Sequence, residues 1–264
     1  MANVNWTREQ VLVALALYCY LPFGKLDQST PIIIDVANRL GRTPGALAMK
    51  LNNLAGLDPE ITSSGRVGLT GSSNTDKAIW AEFESDREAT LLQSQKLLNE
   101  LYDGKTPLDL SIPDEAPSEA EEPILALPEV TSSKAFVTIR RGQNLFRKMV
   151  LSSYKVRCCI TGFSHPNLLV ASHIRPWSMD QENRLNPKNG LCLNSFHDKA
   201  FDTGLIAIRP DLTIALSNEF IAGARTADVP EWFLSFEGKS IIKPTKFHPS
   251  KEFLDWHYNE IFKR

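Results

Sequence analysis

Three of the chain's five histidines and three of its four cysteines stand within residues 158–209. His173 follows the apolar run Leu168–Ala171. Sixteen residues later Asn189-Gly190 opens the alternating run Leu191-Cys192-Leu193-Asn194, and His197 begins His-Asp-Lys-Ala-Phe-Asp, which ends at Asp202. A neutral imidazole can take a proton from water near pH 7. Imidazole and carboxylate groups also bind divalent cations while leaving coordination positions open. A base beside a cation is the equipment of hydrolysis. Each residue alone has a plainer reading: His173 as a hydrogen-bonded core residue, Asn189-Gly190 as a turn, His197 as the start of a helix. Only the ordered set points to a site.

To converge, these residues must be carried by particular elements. The run before His173 predicts a strand, Asn189-Gly190 a tight turn or loop end, and residues 195–203 a short helix. Upstream stand Arg140-Arg141-Gly142-Gln143-Asn144-Leu145-Phe146-Arg147, Tyr154, Arg157-Cys158-Cys159 and Thr161-Gly162. Downstream stand His173-Ile174, Pro176-Trp177, Asn189-Gly190-Leu191, His197, Phe201-Asp202 and Gly204-Leu205. Over roughly residues 136–210 this series resembles the HNH endonucleases, in particular their restriction-endonuclease branch, whose core is the ββα-metal fold.

The resemblance implies DNA phosphodiester hydrolysis. It casts His173 as general base and His197 as a metal ligand, with Asn189 pinning the loop that aims the base or reaching the metal. The catalytic set is then His173, Asn189 and His197, and the metal set His197, Asn189 and Asp202. Magnesium is the first choice of cation, with manganese, nickel or zinc as alternatives. Many members carry Asp or His directly before the base, where this chain has Ser172. Many carry a second His four residues after the third motif residue, where this chain has Phe201. Asp202 is the best remaining partner for His197, and Asp198 points elsewhere on a regular helix.

The net charge of −2 hides an uneven distribution. Residues 103–130 hold eight acids and one base, a net of −7, whereas residues 134–210 hold twelve Lys or Arg and four acids, a net of +8. A basic module behind an acidic tether suits a polyanion binder. Arg140, Arg141, Arg147, Lys148 and Arg175 are the expected DNA contacts of this module. Prolines at 107, 113, 117, 123 and 128 mark residues 103–133 as a linker. No signal peptide or membrane span is expected. Adjacent Cys158-Cys159 suits reduced thiols and a cytoplasmic protein, and no pair of Cys-x-x-Cys motifs supports a structural zinc.

At the amino terminus Thr7 and Gln10 match a capping box ahead of the buried run Val11–Leu17. A helix over 32–40, the turn Gly41-Arg42-Thr43 and a helix from Pro44 to about Ala55 resemble a helix-turn-helix. Its second helix would offer Arg42, Thr43, Lys50 and Asn53 to DNA. Residues 61–75 read as a polar loop or small wing, residues 76–102 as one long helix, residues 205–216 as a hairpin, and Lys251–Lys263 as a closing helix.

The expected architecture is α+β: a helical, helix-turn-helix-like recognition domain at 1–102, an acidic linker at 103–133 and a ββα-metal HNH nuclease domain at 134–264. The expected function is a metal-dependent endonuclease of double-stranded DNA, working as a homodimer in restriction of foreign, including modified, DNA. The alternative is a non-catalytic DNA-binding protein with a degenerate HNH fold.

Overall fold

The computed structural model describes residues 5–63, 71–104, 133–225 and 231–264. Among these the chain forms two compact units. The first comprises the helices up to residue 104 together with a long helix ending at Ser153, and the second runs from Tyr154 to Arg264. The acidic linker and the centre of the 61–75 loop lie outside the described residues.

The first unit is built around α1, Arg8–Tyr20, which contacts three of the helices below. The Thr7 hydroxyl accepts the Gln10 N–H and the Gln10 side chain returns to the Thr7 N–H, so the predicted capping box satisfies two orphan donors. Every residue from Val11 to Tyr20 is buried. Helix α2, Pro31–Arg39, buries Ile32, Ile33, Val36 and Ala37. The turn into α3, Pro44–Ala55, needs the left-handed conformation at Gly41 (φ +66°), which costs glycine little. Thr43 caps α3 through the Ala46 N–H, and Leu47, Leu51 and Leu54 point inward with no exposed area. A short α4, Pro59–Ser63, follows.

The single helix expected over 76–102 is two helices, α5, Asn74–Ser85, and α6, Arg87–Glu100. Asp86 makes the break. Its extended backbone (φ −138°, ψ 84°) ends α5, while its carboxylate accepts the Ala89 N–H at 3.0 Å and starts α6. An N-cap side chain thus overrides a continuous apolar pattern, and α5 folds back against α6.

Between α3 and α5 lies a buried ion pair. Lys50 Nζ donates to both Asp76 oxygens at 2.8 and 2.9 Å, and the two side chains are 6% and 0% exposed. Asp76 also accepts the Ser73 N–H at 2.8 Å. Removing one partner would strand a charge in the interior. Asp76→Ala is therefore expected to lower unfolding free energy by about 3–5 kcal/mol, and adding Lys50→Met to recover most of it. Urea denaturation of both variants checks this, and a loss below about 1 kcal/mol in Asp76→Ala would contradict it.

Helix α7, Ser133–Ser153, closes the first unit, with the Ser152 hydroxyl donating to Met149 O at 3.0 Å and reaching Cys19 O on α1 at 3.4 Å. Residues 134–153, expected from the sequence to open the nuclease domain, group here with the amino-terminal helices.

In the second unit β1, Leu169–His173, pairs antiparallel with β2, Gly190–Asn194, and β2 runs directly into α8, Ser195–Asp202. This is a ββα unit inside an α+β chain. A second hairpin, β3, Ile206–Ile208, with β4, Ile214–Leu216, turns through Leu212 at φ +69°. Helix α9, Asn218–Arg225, follows. The closing helix α10, Lys251–Glu260, is shorter than expected and packs on β3.

Gly204 (φ +74°) lets the carboxy-terminal strand of chain lie against the end of α8. A Cβ there would meet Ile261 O at 2.1 Å, and Lys263 N donates to Gly204 O. Among the described residues no helix is long and apolar enough to cross a membrane.

On α10, His257 stacks on Phe201 with centroids 3.6 Å apart, and its Nε2 lies 3.1 Å from the Phe201 carbonyl. Burial pushes its imidazole down to about 4, against the opposing pull of that carbonyl. An unfolded His titrates near 6.5, so below that pH the unfolded chain takes the proton more readily. Stability is therefore whole above pH 6.5 and falls as pH drops toward 4, by about 3 kcal/mol at pH 4 from this ring. Urea unfolding at pH 7 and pH 4.5 checks the slope. Replacing His257 with Gln is expected to reduce it by this ring's share, His173 and His197 contributing the rest in the same sense, and an unchanged slope would count against this origin.

Candidate active site

The register of the first hairpin brings the motif ends together. His173 pairs with Gly190, so Asn189 stands beside the base at the mouth of a loop running from 174 to 189. Asn189 has no exposed area. Its amide oxygen accepts the Arg175 N–H at 2.8 Å, and its amide nitrogen donates to Arg175 O at 3.0 Å and Asn183 O at 3.3 Å. Its main-chain carbonyl takes the Ile174 N–H at 2.9 Å. Asparagine supplies a donor and an acceptor on one rigid amide, which is what closing a loop at both ends requires. Of the two roles expected for Asn189, its bonds are those of the loop pin. Asp180, Asn183 and Asn186 stitch the rest of the loop, Asp180 receiving both the Asn183 N–H and its amide.

That loop presents the Arg184 carbonyl to His173, with Nε2 and oxygen 3.0 Å apart. A carbonyl can only accept, so Nε2 carries the proton and Nδ1 is the basic nitrogen. The Trp177 ring meets the His173 ring edge-on at 5.5 Å. Burial lowers the imidazole to about 4, the carbonyl bond opposes this, and the Arg184 charge lowers it further. His173 is thus neutral at pH 7, the state a base needs.

His197 faces other neighbours. It is 1% exposed, its Nδ1 sits 3.4 Å from Cys158 Sγ, and the rings of Phe233, Phe196 and Phe236 surround it at 5.0, 5.9 and 6.3 Å. Burial pushes it down to about 4, and its buried Nε2 makes no hydrogen bond. Its main chain is fixed by Asn194, whose side chain caps α8 through the His197 N–H at 2.8 Å.

One residue is 100° on a helix, so the face away from His197 belongs to Asp198 and, one turn on, Asp202. Asp198 lies beside Ser172 on β1. Burial raises its carboxyl, while the Ser172 hydroxyl and the Lys199 charge pull it down. Ser172 itself is 3% exposed and its hydroxyl forms no well-aligned hydrogen bond. Asp202 reaches solvent, yet the protein around it and the Asp198 charge push it up to about 7.

Asp198 and Asp202 are a second set of groups that can hold a divalent cation. Among the described residues no three His, Cys, Asp or Glu converge as a ready ligand cluster. Asn189 has its amide engaged, and His197 faces a thiol and phenyl rings. Asp198 and Asp202 offer two carboxylates whose mutual repulsion a cation would relieve, beside a buried hydroxyl. Magnesium needs only one or two protein carboxylates, with water and substrate phosphate completing its shell.

The expected DNA contacts are scattered. Arg175 is paired with Asp180 at 3.4 Å and Glu252 at 3.1 Å, and lies over the Phe253 and Trp256 rings. Arg147 and Lys148 are 4% and 9% exposed, in the part of α7 where every residue from 145 to 153 is buried. The side chains of Arg140 and Arg141 lie outside the described residues. Arg42 donates to Asn5 O and Gln10 Oε1 and covers Trp6. Lys50 is sealed by Asp76, so α3 turns no cation outward. Neither Asp198 nor Arg184 is among the site residues expected from the sequence. The signal for Asp198 was present, because Phe201 marks the inward face of α8 and His197, one turn before it, must share that face.

No curated protein sequence matches the chain. Residues 158–209 match a family model described as HNH endonuclease, spanning β1, β2, α8 and β3. The ββα unit, with His173 held by its loop and the Asn189 clamp, is consistent with that match, and over these residues the chain is similar to the HNH endonucleases.

Proposed function

We propose that the chain is a metal-dependent DNA endonuclease acting in restriction of foreign DNA. The observation that carries this is the fixed tautomer of His173: the Arg184 carbonyl takes Nε2–H, and Asn189 holds the loop that delivers that carbonyl. Nδ1 of His173 takes a proton from water, the water oxygen adds to phosphorus, and the bond from phosphorus to the leaving oxygen breaks. Asp198 and Asp202 would hold the divalent cation. Bound there, it supplies positive charge against the charge growing on the phosphate and leaving oxygen. Asn189 acts as a positioning residue, and His197 packs α8 against Cys158 and the phenyl cluster.

One such centre cuts one strand, so a double-strand break requires two copies or two successive nicks. The amino-terminal unit is the reader of the DNA, and the buried ion pair of Lys50 with Asp76 speaks against Lys50 as one of its contacts. A second reading, a DNA-binding protein that has lost catalysis, is favoured by Ser172 at a usual ligand position. Cleavage of supercoiled plasmid, unmodified and cytosine-modified, with magnesium, manganese or EDTA decides between them. Metal-dependent nicking or linearisation is expected. DNA binding without cutting in any metal would establish the second reading.

A further inference from the structure

Arg184 combines two features found in no other described arginine of the site. Its main-chain carbonyl fixes the base, and its guanidinium lies over the Trp177 ring at 5.2 Å, the same ring that meets His173 edge-on. Nε donates to Trp177 O at 2.9 Å, which locks the side chain in place. Nη2 is buried and makes no hydrogen bond, and among the described residues Arg184 forms no ion pair. Arg184 is half-buried, and a buried guanidinium nitrogen left without an acceptor is unfavourable unless its partner arrives with a ligand. Arg175, by contrast, is already neutralised by two carboxylates. The Arg184 charge is also felt at the His173 imidazole, which places the two groups within electrostatic reach.

We propose that Arg184 is the phosphate-binding residue of the centre, its guanidinium receiving a nonbridging oxygen of the scissile phosphate beside His173. This rests on the nuclease reading above. It joins base and phosphate receptor in one residue: the main chain orients the ring and the side chain brings the phosphorus to it. Planar guanidinium suits phosphate oxygens better than ammonium does.

The test uses the full chain with Arg184→Ala, Arg184→Gln and Arg184→Lys. The main-chain bond to His173 survives in all three. Two readouts are taken: plasmid cleavage in magnesium, and affinity for a short duplex in EDTA across a salt series. Cleavage is expected to fall by about 10²–10³-fold in the Ala and Gln variants, as when one transition-state donor is removed, with partial recovery in Lys. The slope of log affinity against log salt is expected to shrink by about 0.9, one phosphate contact, in Ala and Gln and to be kept in Lys.

Wild-type cleavage and slope in Arg184→Gln, with His173→Ala inactive, would overturn the proposal and leave the nuclease standing. Lost cleavage with an unchanged slope and no recovery in Lys would also overturn it, as a purely structural role. If the wild type cuts in no metal, yet the Ala and Gln variants lose one contact from the slope, the nuclease reading falls and the phosphate contact holds.

Discussion

Replacing His173 with alanine is expected to slow plasmid cleavage by about 10²–10⁴-fold, the usual contribution of a positioned general base. Duplex affinity in EDTA is expected to change little, because a neutral ring contributes no phosphate charge. The ring is half-buried at the end of β1, and its removal leaves the Asn189 clamp intact. Circular dichroism and thermal melting should therefore report a folded protein. The imidazole stands at about 4 in the free protein, so the base stays neutral through the whole neutral range. An acidic limb of kcat/KM set by His173 would then lie near pH 4. Cleavage by His173→Ala within about threefold of wild type would remove His173 as the base.

The second large effect separates two faces of one helix. Asp198→Asn and Asp202→Asn are each expected to weaken magnesium or manganese binding by at least the 10–100-fold typical of substitutions around a metal, and to depress cleavage with it. His197→Leu is expected to leave metal affinity within about twofold of wild type while shifting the melting temperature. That ring is surrounded by Phe233, Phe196, Phe236 and Cys158, so replacing it perturbs packing. Isothermal titration with manganese, paired with thermal melting, reads both quantities. A His197→Leu protein that melts like wild type but no longer binds manganese would restore His197 as the ligand and overturn the carboxylate assignment.

Much of the fold was legible before any coordinates. Local chemistry marks the capping box of α1, the Gly41 turn, the Thr43 cap, the β1–β2–α8 order and the hairpin around Pro210-Asp211. In each case a few neighbouring residues decide, through a cap, a positive φ or an alternation of apolar side chains. The family core was legible for the same reason, since its ordered motif spans a single short stretch.

What tertiary structure decided was facing and neutralisation. The residue types around 197–202 allow His197 with Phe201, or Asp198 with Asp202, to turn toward β1, because both pairs are one helical turn apart. Phe233 and Phe236 claim His197 and the His257 ring claims Phe201, and residues so distant in sequence cannot be read from the motif. Cations followed the same rule. Lys50 and Arg175 look like DNA contacts in a one-dimensional charge count, yet Asp76, Asp180 and Glu252 occupy them. Nothing in the local sequence marks Arg184, and only the folded loop places its carbonyl on His173 Nε2 and its guanidinium over Trp177. Sequence by itself determined most of the elements and the resemblance of residues 158–209 to the HNH endonucleases. The long-range packing determined which side of each element is chemical, because burial and charge pairing depend on partners the local chain does not contain.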